Sequence, residues 1–211
     1  MRWTKVDIEN LDRKKRLNLI NSITGIKPAN LVGTKEGAYS NLAIISSVVH
    51  LGSNPAMVGF IIRPSTVERN TLENIKKTGN YTINNVTSHI QKKAHYTSIK
   101  LPKEKSEFEK CHLTEEYIND FGSPFVKESN IKIGLSLEEI VPIKSNGTAM
   151  IVGRVEILEV QDECLNELYY IDLEKSKSVG ISGLNSYYDL KKTASYPYVR
   201  IKEFPPKTWD N

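Results

Sequence analysis

Two long apolar runs dominate the first third of the chain. The first is NLAIISSVVHL, at residues 41–51, and the second is AMVGFII, at residues 56–62. Both are rich in β-branched residues, and the intervening Gly52-Ser53-Asn54-Pro55 has the composition of a turn. The pattern predicts two antiparallel strands joined as a hairpin. Because neither run alternates cleanly between apolar and polar residues, we expect both faces to be covered, as in a closed barrel or an assembled oligomer.

The rest of the chain predicts more strands than helices. A helix is expected at about residues 9–22, and shorter helical pieces are expected at residues 70–78, 89–99 and 106–111. Further strands are predicted at residues 29–34, 81–86, 131–140, 148–160 and 178–182, and an irregular aromatic tail at residues 183–200. Because helices do not alternate regularly with strands, the order favours a mainly β (α+β) fold, a β-barrel with helical insertions, over a doubly wound parallel sheet. No repeat or long linker divides the 211 residues, so we predict one domain.

The junction between the second apolar run and the next helix is unusually polar. It reads FIIRPSTVERNTLENI at residues 60–75, with Arg63 and Arg69 on either side of Ser65 and Thr66. Asn70 is a good helix N-cap, and the first amides of a helix carry free N–H groups and partial positive charge. This combination suits an anion such as a phosphate. A polar surface turn explains the same residues equally well, so both interpretations stay open at this point.

Two serines, Ser46 and Ser47, interrupt the first apolar run. A planar heteroaromatic ligand would use hydroxyl and backbone groups at its polar edge and aliphatic side chains against its faces. The simpler interpretation is that both serines bond to neighbouring backbone and face no ligand, and the residues alone favour it.

Composition and charge narrow the function classes. The chain is 39% hydrophobic and 26% charged, which is ordinary for a globular protein. It lacks an 18-residue apolar run and a signal-peptide core, so we expect a cytoplasmic protein without a membrane span. The net charge of +4 is too modest to favour nucleic-acid binding. In addition, aromatic residues do not interleave with a basic stripe. The histidines and the two cysteines show no zinc-ligand spacing, so no metal site is predicted.

An ordered series of motifs resembles the flavin reductase-like, FMN-binding split-barrel family, in particular its flavoredoxin-like branch. The series comprises Ser46-Ser47, Pro55, the strand at 56–62, the loop from Arg63 to Arg69, the segment TLENI at 71–75, and Asn84-Asn85. The later segments AHYTSIK, SEFEKCHLTEEY and GLNSYYDL add to it, so the resemblance covers about residues 28–200. It implies a single FMN-binding split-barrel domain over residues 1–211.

The resemblance also implies the cofactor contacts. Arg63, Thr66, Arg69 and Thr71 would contact the phosphate and ribityl chain of FMN, and Ser46, Ser47 and Val48 would line the isoalloxazine edge. Asn84 and Lys100 are weaker candidates. The family implies a homodimer with flavin near the subunit interface, where the tail tyrosines either stack over the flavin or nicotinamide or pack at the interface.

The implied activity is that of an FMN-dependent NAD(P)H oxidoreductase of the flavin reductase type. Hydride would pass from NADH or NADPH to the flavin, and electrons would pass on to free flavin or another acceptor. Some family members use a Gly-Asp-His tripeptide near the nicotinamide, and this chain lacks one. The alternative is therefore an FMN-binding electron carrier without its own nicotinamide site. A basic nucleic-acid- or protein-binding barrel without cofactor is a third possibility, which the modest charge disfavours.

Overall fold

The computed structural model describes residues 1–64 and 70–201. The α-helices of this part of the chain are α1 (Lys5–Asn10), α2 (Arg13–Ser22), α3 (Asn70–Thr78), α4 (Gln91–Tyr96) and α5 (Glu107–Lys110), and a short 3-10 helix lies at Asp162–Cys164. Its strands are β1 (Lys27–Pro28), β2 (Asn30–Glu36), β3 (Tyr39–Ile45), β4 (Val49–Ser53), β5 (Ala56–Ile62), β6 (Asn80–Asn85), β7 (Glu115–Glu116), β8 (Phe125–Val126), β9 (Ile131–Ile143), β10 (Thr148–Val160), β11 (Val179–Ser182) and β12 (Ser186–Asp189).

Seven of these strands form one antiparallel sheet in the order β3-β2-β6-β9-β10-β5-β4. Neighbouring strands lie about 4.8 Å apart, so a flat sheet of this order would separate its two edge strands by about 29 Å. The edge strands β3 and β4 are joined by residues 46–48 alone, and a link of that length spans at most about 14 Å. The sheet must therefore curl until its edges approach each other. The result is a split barrel, open between β3 and β4, as the sequence predicted.

The apolar run at residues 41–51 is not one strand. It divides at residues 46–48, and its two halves pair with different partners, β3 with β2 and β4 with β5. The antiparallel hairpin of β4 and β5 is confirmed, with its turn at Asn54-Pro55, whose peptide bond is cis. The prediction of a continuous strand is wrong, because a uniformly apolar run does not reveal where the chain changes from one strand-pairing partner to another.

Successive residues of the central strands face two different cores. Leu31 of β2 belongs to a core with α4, α5 and β11, whereas the next residue, Val32, belongs to the barrel core with β5, β6, β9, β10 and α3. Both side chains are completely buried. This arrangement confirms that both faces of the sheet are covered, and it explains the missing polar alternation within a single chain.

Helix α3 lies where the sequence predicted it. It ends at Gly79, whose φ of +73° favours a residue without a side chain. Leu72 and Ile75 fix the helix to the barrel core. The predicted helix at residues 9–22 is instead two helices, because Asp12 accepts hydrogen bonds from the amides of Lys14 and Lys15 and begins α2 anew.

The tail is more regular than expected. Strand β12 pairs with β11, and β1 lies on the other side of β11, forming a small three-stranded sheet beside the barrel. Strand β12 was not predicted, because the side chains of the aromatic stretch at residues 186–189 are mostly exposed. Within residues 1–64 and 70–201, no helix has the length and apolar character needed to cross a membrane.

Candidate functional site

The link at residues 46–48 is held to β5 by a side chain. Ser47 Oγ accepts a hydrogen bond from the Ile61 amide at 3.0 Å and donates one to the Ile61 carbonyl at 3.1 Å. The last backbone pair on this side of β5 joins Val49 and Gly59, so the serine continues the pairing by two residues. The interpretation that Ser47 bonds to neighbouring backbone is therefore confirmed, and its hydroxyl holds the link in place across the opening of the barrel.

The end of β3 and the link that follows it carry apolar side chains onto the barrel core. Ile45 and Val48 are half-buried and pack against the core cluster that contains Phe60, Leu72 and Ile75. Ser46, between them, is also half-buried. The link, the end of β5 and the first turn of α3 thus meet around one cluster.

The basic side of this corner is formed by the residues that follow β5. Arg63 is exposed, and among the residues that the structure describes it has no hydrogen-bond or ion-pair partner. Thr71 lies in the first turn of α3, where its Oγ1 accepts a hydrogen bond of 2.9 Å from the side-chain amide of Asn41. Thr66 and Arg69, also predicted for this site, lie outside the described residues.

Asn84, a weaker candidate from the sequence, is completely buried in β6. Its Nδ2 donates to the Leu31 carbonyl at 3.2 Å and to Thr82 Oγ1 at 2.9 Å, and its Oδ1 accepts from the Val126 amide at 3.0 Å. The side chain ties β6 to β2 and β8. It presents no surface to a ligand, and the site we propose therefore does not include it.

Lys100, the other weaker candidate, lies between α4 and α5. Its side chain is exposed and makes no hydrogen bond or ion pair with any described residue. No described contact joins it to the link at residues 46–48 or to α3. Its place in the site stays a prediction.

The corner also contains a residue that sequence reasoning missed. Asn41 is only 8% exposed on β3, and its contact with Thr71 joins an edge strand of the barrel to the first turn of α3. The available signal was an asparagine at the start of the apolar run at residues 41–51, because a buried amide needs a hydrogen-bond partner. The identity of that partner, 30 residues away, is a property of the tertiary structure.

Fold and site together define a split-barrel protein in which the exposed Arg63 and the Thr71 hydroxyl lie at one corner, beside the link at residues 46–48. Residues 26–178 match the family model for the flavin reductase like domain. The match spans more than half of the chain, so the protein belongs to this family and contains a flavin reductase-like domain.

Solved structures give the same result. A protein of Shewanella frigidimarina NCIMB 400, provisionally assigned as a flavin reductase with split barrel domain, is 44% identical, with 94% of this chain and 100% of that chain covered and a TM-score of 0.91. Two more distant structures share the fold. Nitrilotriacetate monooxygenase component B from Bacillus cereus has 21% identity, coverage of 93% and 100%, and a TM-score of 0.81. Flavoredoxin of Desulfovibrio vulgaris (Miyazaki F) has 20% identity, coverage of 82% and 91%, and a TM-score of 0.71.

Proposed function

We propose that the protein is an FMN-dependent oxidoreductase of the NAD(P)H:flavin reductase type. The observation that carries the proposal is the meeting of three elements at one corner: the link at residues 46–48, which packs Val48 against the barrel core, the exposed Arg63 after β5, and the first turn of α3. A flavin mononucleotide has an apolar ring system at one end and a phosphate at the other. The corner offers a matching surface to each end.

At the phosphate end, the proposed contacts are Arg63 and Thr71, joined by Thr66 and Arg69. The fit rests on the observed donor set: an exposed guanidinium without a described partner and a hydroxyl in the first turn of a nine-residue helix. The amides of that turn have no intrahelical partners and favour an anion. Hydrogen bonds to charged groups contribute about 1.5–3 kcal/mol each, so two or three account for a large part of a micromolar affinity.

At the ring end, the proposed contacts are Ser46, Ser47 and Val48. Because the Ser47 hydroxyl is already engaged with Ile61, its contribution falls to the backbone of the link rather than to its side chain. Val48 supplies a half-buried aliphatic surface beside those backbone groups. The link therefore orients the ring, and the bonds to β5 keep the link from moving.

FMN, when bound, supplies the redox chemistry, accepting electrons from NADH or NADPH and passing them to free flavin or another acceptor. The chain's part is to bind and orient, and we assign no acid or base to it. An electron carrier of the flavoredoxin kind, without its own nicotinamide site, is the second candidate. The absence of a Gly-Asp-His tripeptide in the sequence favours it.

We further propose a cytoplasmic homodimer with the flavin near the subunit interface. Tyr196 and Tyr198 support the dimer, because each is 88% exposed on the tail that follows β12, and two such aromatic side chains suit packing against a second copy.

The test begins with the visible absorption spectrum of the purified protein and its FMN affinity. We expect bound or bindable FMN, and oxidation of NADH or NADPH when flavin is present. Colourless protein with no FMN affinity contradicts the proposal. FMN binding without turnover of either nicotinamide selects the electron carrier instead.

Single arginine variants test the phosphate end. Arg69→Ala and Arg63→Ala should each weaken FMN affinity at least roughly tenfold, because each removes a charge-assisted contact. Arg13→Ala is the matched control, since Arg13 lies exposed on α2 and its loss changes the net charge equally. Equal affinity in all three variants and in the wild type shows that the phosphate binds elsewhere.

A further inference from the structure

The contact between Asn41 and Thr71 is a hydrogen bond in which the asparagine side chain is the donor. Asn41 Nδ2 is the donor and Thr71 Oγ1 the acceptor, at 2.9 Å. A threonine hydroxyl has one proton and two acceptor lone pairs. Because a lone pair receives the asparagine proton, the hydroxyl's own proton points away from Asn41. No described residue accepts that proton.

Burial makes this arrangement rigid. Asn41 is 8% exposed, and its backbone pairs with Thr34 in the β2–β3 ladder, so the amide has little freedom to turn away. Thr71 is half-buried in the first turn of α3. The asparagine therefore sets the rotation of the hydroxyl before any ligand arrives.

We infer that Asn41 is a positioning residue that presents the Thr71 hydroxyl as a hydrogen-bond donor to the phosphate of the flavin nucleotide. The inference rests on the function proposed above and concerns residues of this chain only. Its chemical content is that an amide donor beneath the threonine selects a ligand that accepts hydrogen bonds. A carboxylate at position 41 would accept the threonine proton and place negative charge beside the anion, which reverses both effects.

The contact is not needed to hold α3 in place. Leu72 and Ile75 pack the helix into the barrel core, and Asn74 contacts Thr34 Oγ1 at 3.0 Å from the same helix. Loss of the Asn41 contact should leave the helix seated. A positioning role and a purely structural role thus predict different results.

Binding of FMN is to be compared with binding of riboflavin, which lacks the phosphate, for each variant. The wild type should prefer FMN. Thr71→Val should lower FMN affinity roughly ten- to hundredfold and leave riboflavin affinity within about twofold, since only the phosphate contact is lost. Asn41→Asp should lower FMN affinity at least as far, again sparing riboflavin. Asn18→Asp, the same change at an exposed position of α2, should alter neither affinity.

Asn41→Leu separates orientation from charge. It removes the amide without adding a carboxylate, so FMN affinity should fall less than in Asn41→Asp. In a Thr71→Val background the same change should cost no further FMN affinity, because the residue acts through the threonine. The thermal midpoint of each variant establishes that it is folded.

Several outcomes would overturn the inference. FMN preference retained in Asn41→Asp, equal losses of FMN and riboflavin affinity in Asn41→Leu, or additive effects of Asn41→Leu and Thr71→Val each exclude positioning. If the wild type binds FMN and riboflavin equally well, the phosphate contact is excluded, but flavin binding itself is not. A wild type that binds neither flavin removes the proposed function as well.

Discussion

Ser47 and the backbone of Ile61 exchange two hydrogen bonds, at 3.0 and 3.1 Å, across the opening of the split barrel. The Ser47 hydroxyl pairs with both backbone groups of Ile61, as the backbone of a residue in a neighbouring strand does elsewhere in the sheet. Without it, the amide and carbonyl of Ile61 would lose their partner on the side of β5 that faces the link.

Ser47→Ala should therefore destabilise the protein by about 2 kcal/mol, since two hydrogen bonds of about 1 kcal/mol each are lost. Ser47→Thr keeps the hydroxyl and should recover part of the loss. Ser46→Ala, one position earlier, should change the free energy of unfolding by less than about 0.5 kcal/mol. Urea denaturation measures all three, and an equal effect of the two alanine variants would contradict the role assigned to Ser47.

The Tyr81 hydroxyl lies over Gly153 in the barrel core. Tyr81 is completely buried, its hydroxyl has no hydrogen-bond partner among the described residues, and a Cβ at Gly153 would overlap that oxygen. Gly153→Ala should destabilise by at least about 2 kcal/mol through overpacking. Tyr81→Phe should be neutral or stabilise by about 1 kcal/mol, because it removes an unpaired polar group, and it should reduce the cost of Gly153→Ala. Thermal unfolding of the single and double variants tests this, and a clear loss of stability in Tyr81→Phe would show that the hydroxyl has a partner.

Lys132 joins two carboxylates from inside the sheet. Its side chain is 7% exposed, and Nζ lies 2.5 Å from Glu116 Oε2 and 2.7 Å from Glu159 Oε1. Burial lowers the pKa of the ammonium group, but the two carboxylates more than offset this and raise the pKa overall. Lys132→Met leaves the carboxylates facing each other and should destabilise by about 2 kcal/mol, less than for a fully buried pair because both glutamates are partly exposed.

The triple variant Lys132→Met, Glu116→Gln, Glu159→Gln should recover most of that loss, since no uncompensated charge remains. The free energy of unfolding by denaturant is the measurement. A triple variant no more stable than Lys132→Met would show that uncompensated carboxylate charge is not the cause of the loss.

Glu107 gives the stability a pH dependence. It is 4% exposed in α5, and burial raises its pKa, opposed by the hydrogen bond of 3.0 Å that its Oε2 accepts from the Leu42 amide. A carboxyl with a raised pKa in the folded state favours folding while it is protonated. That contribution is complete below the ordinary pKa of about 4.3 and is lost as the pH rises through the raised value.

Glu107→Gln should remove this dependence, so its stability relative to the wild type should increase as the pH rises above about 4.3. Glu104→Gln, an exposed neighbour, should leave the profile unchanged. Thermal midpoints across the pH range measure the effect. A wild type that gains stability over Glu107→Gln as the pH rises would reverse the sign and contradict the burial argument.

Much of the fold follows from local pattern. The hairpin of β4 and β5 is predictable because its turn composition separates two β-branched runs, and the end of α3 because Gly79 suits a positive φ. The break at residues 46–48 is not, since the run is apolar on both sides of it. Strand β12 was missed for the opposite reason, because its side chains are mostly exposed.

The candidate site, like the fold, is only partly predictable from the sequence. Charge, hydroxyl groups and a helix start are visible in residues 60–75, and the family resemblance assigns them a ligand. Whether a side chain is exposed is not visible: Asn84 reads as a candidate contact and proves to be buried, whereas Asn41 reads as part of a strand and contacts Thr71.

Local pattern along the chain predicts the strand-rich class of the fold, the positions of most elements and the polar character of the segment after β5, because these depend on neighbours within a few residues. The folded chain alone shows that β3 and β4 become opposite edges of one curled sheet. It also shows two contacts of this region, of Ser47 with Ile61 across the opening and of Asn41 with Thr71. Those relationships join residues 14 and 30 positions apart in the sequence. They arise from how the sheet curls, which no short stretch of residues specifies.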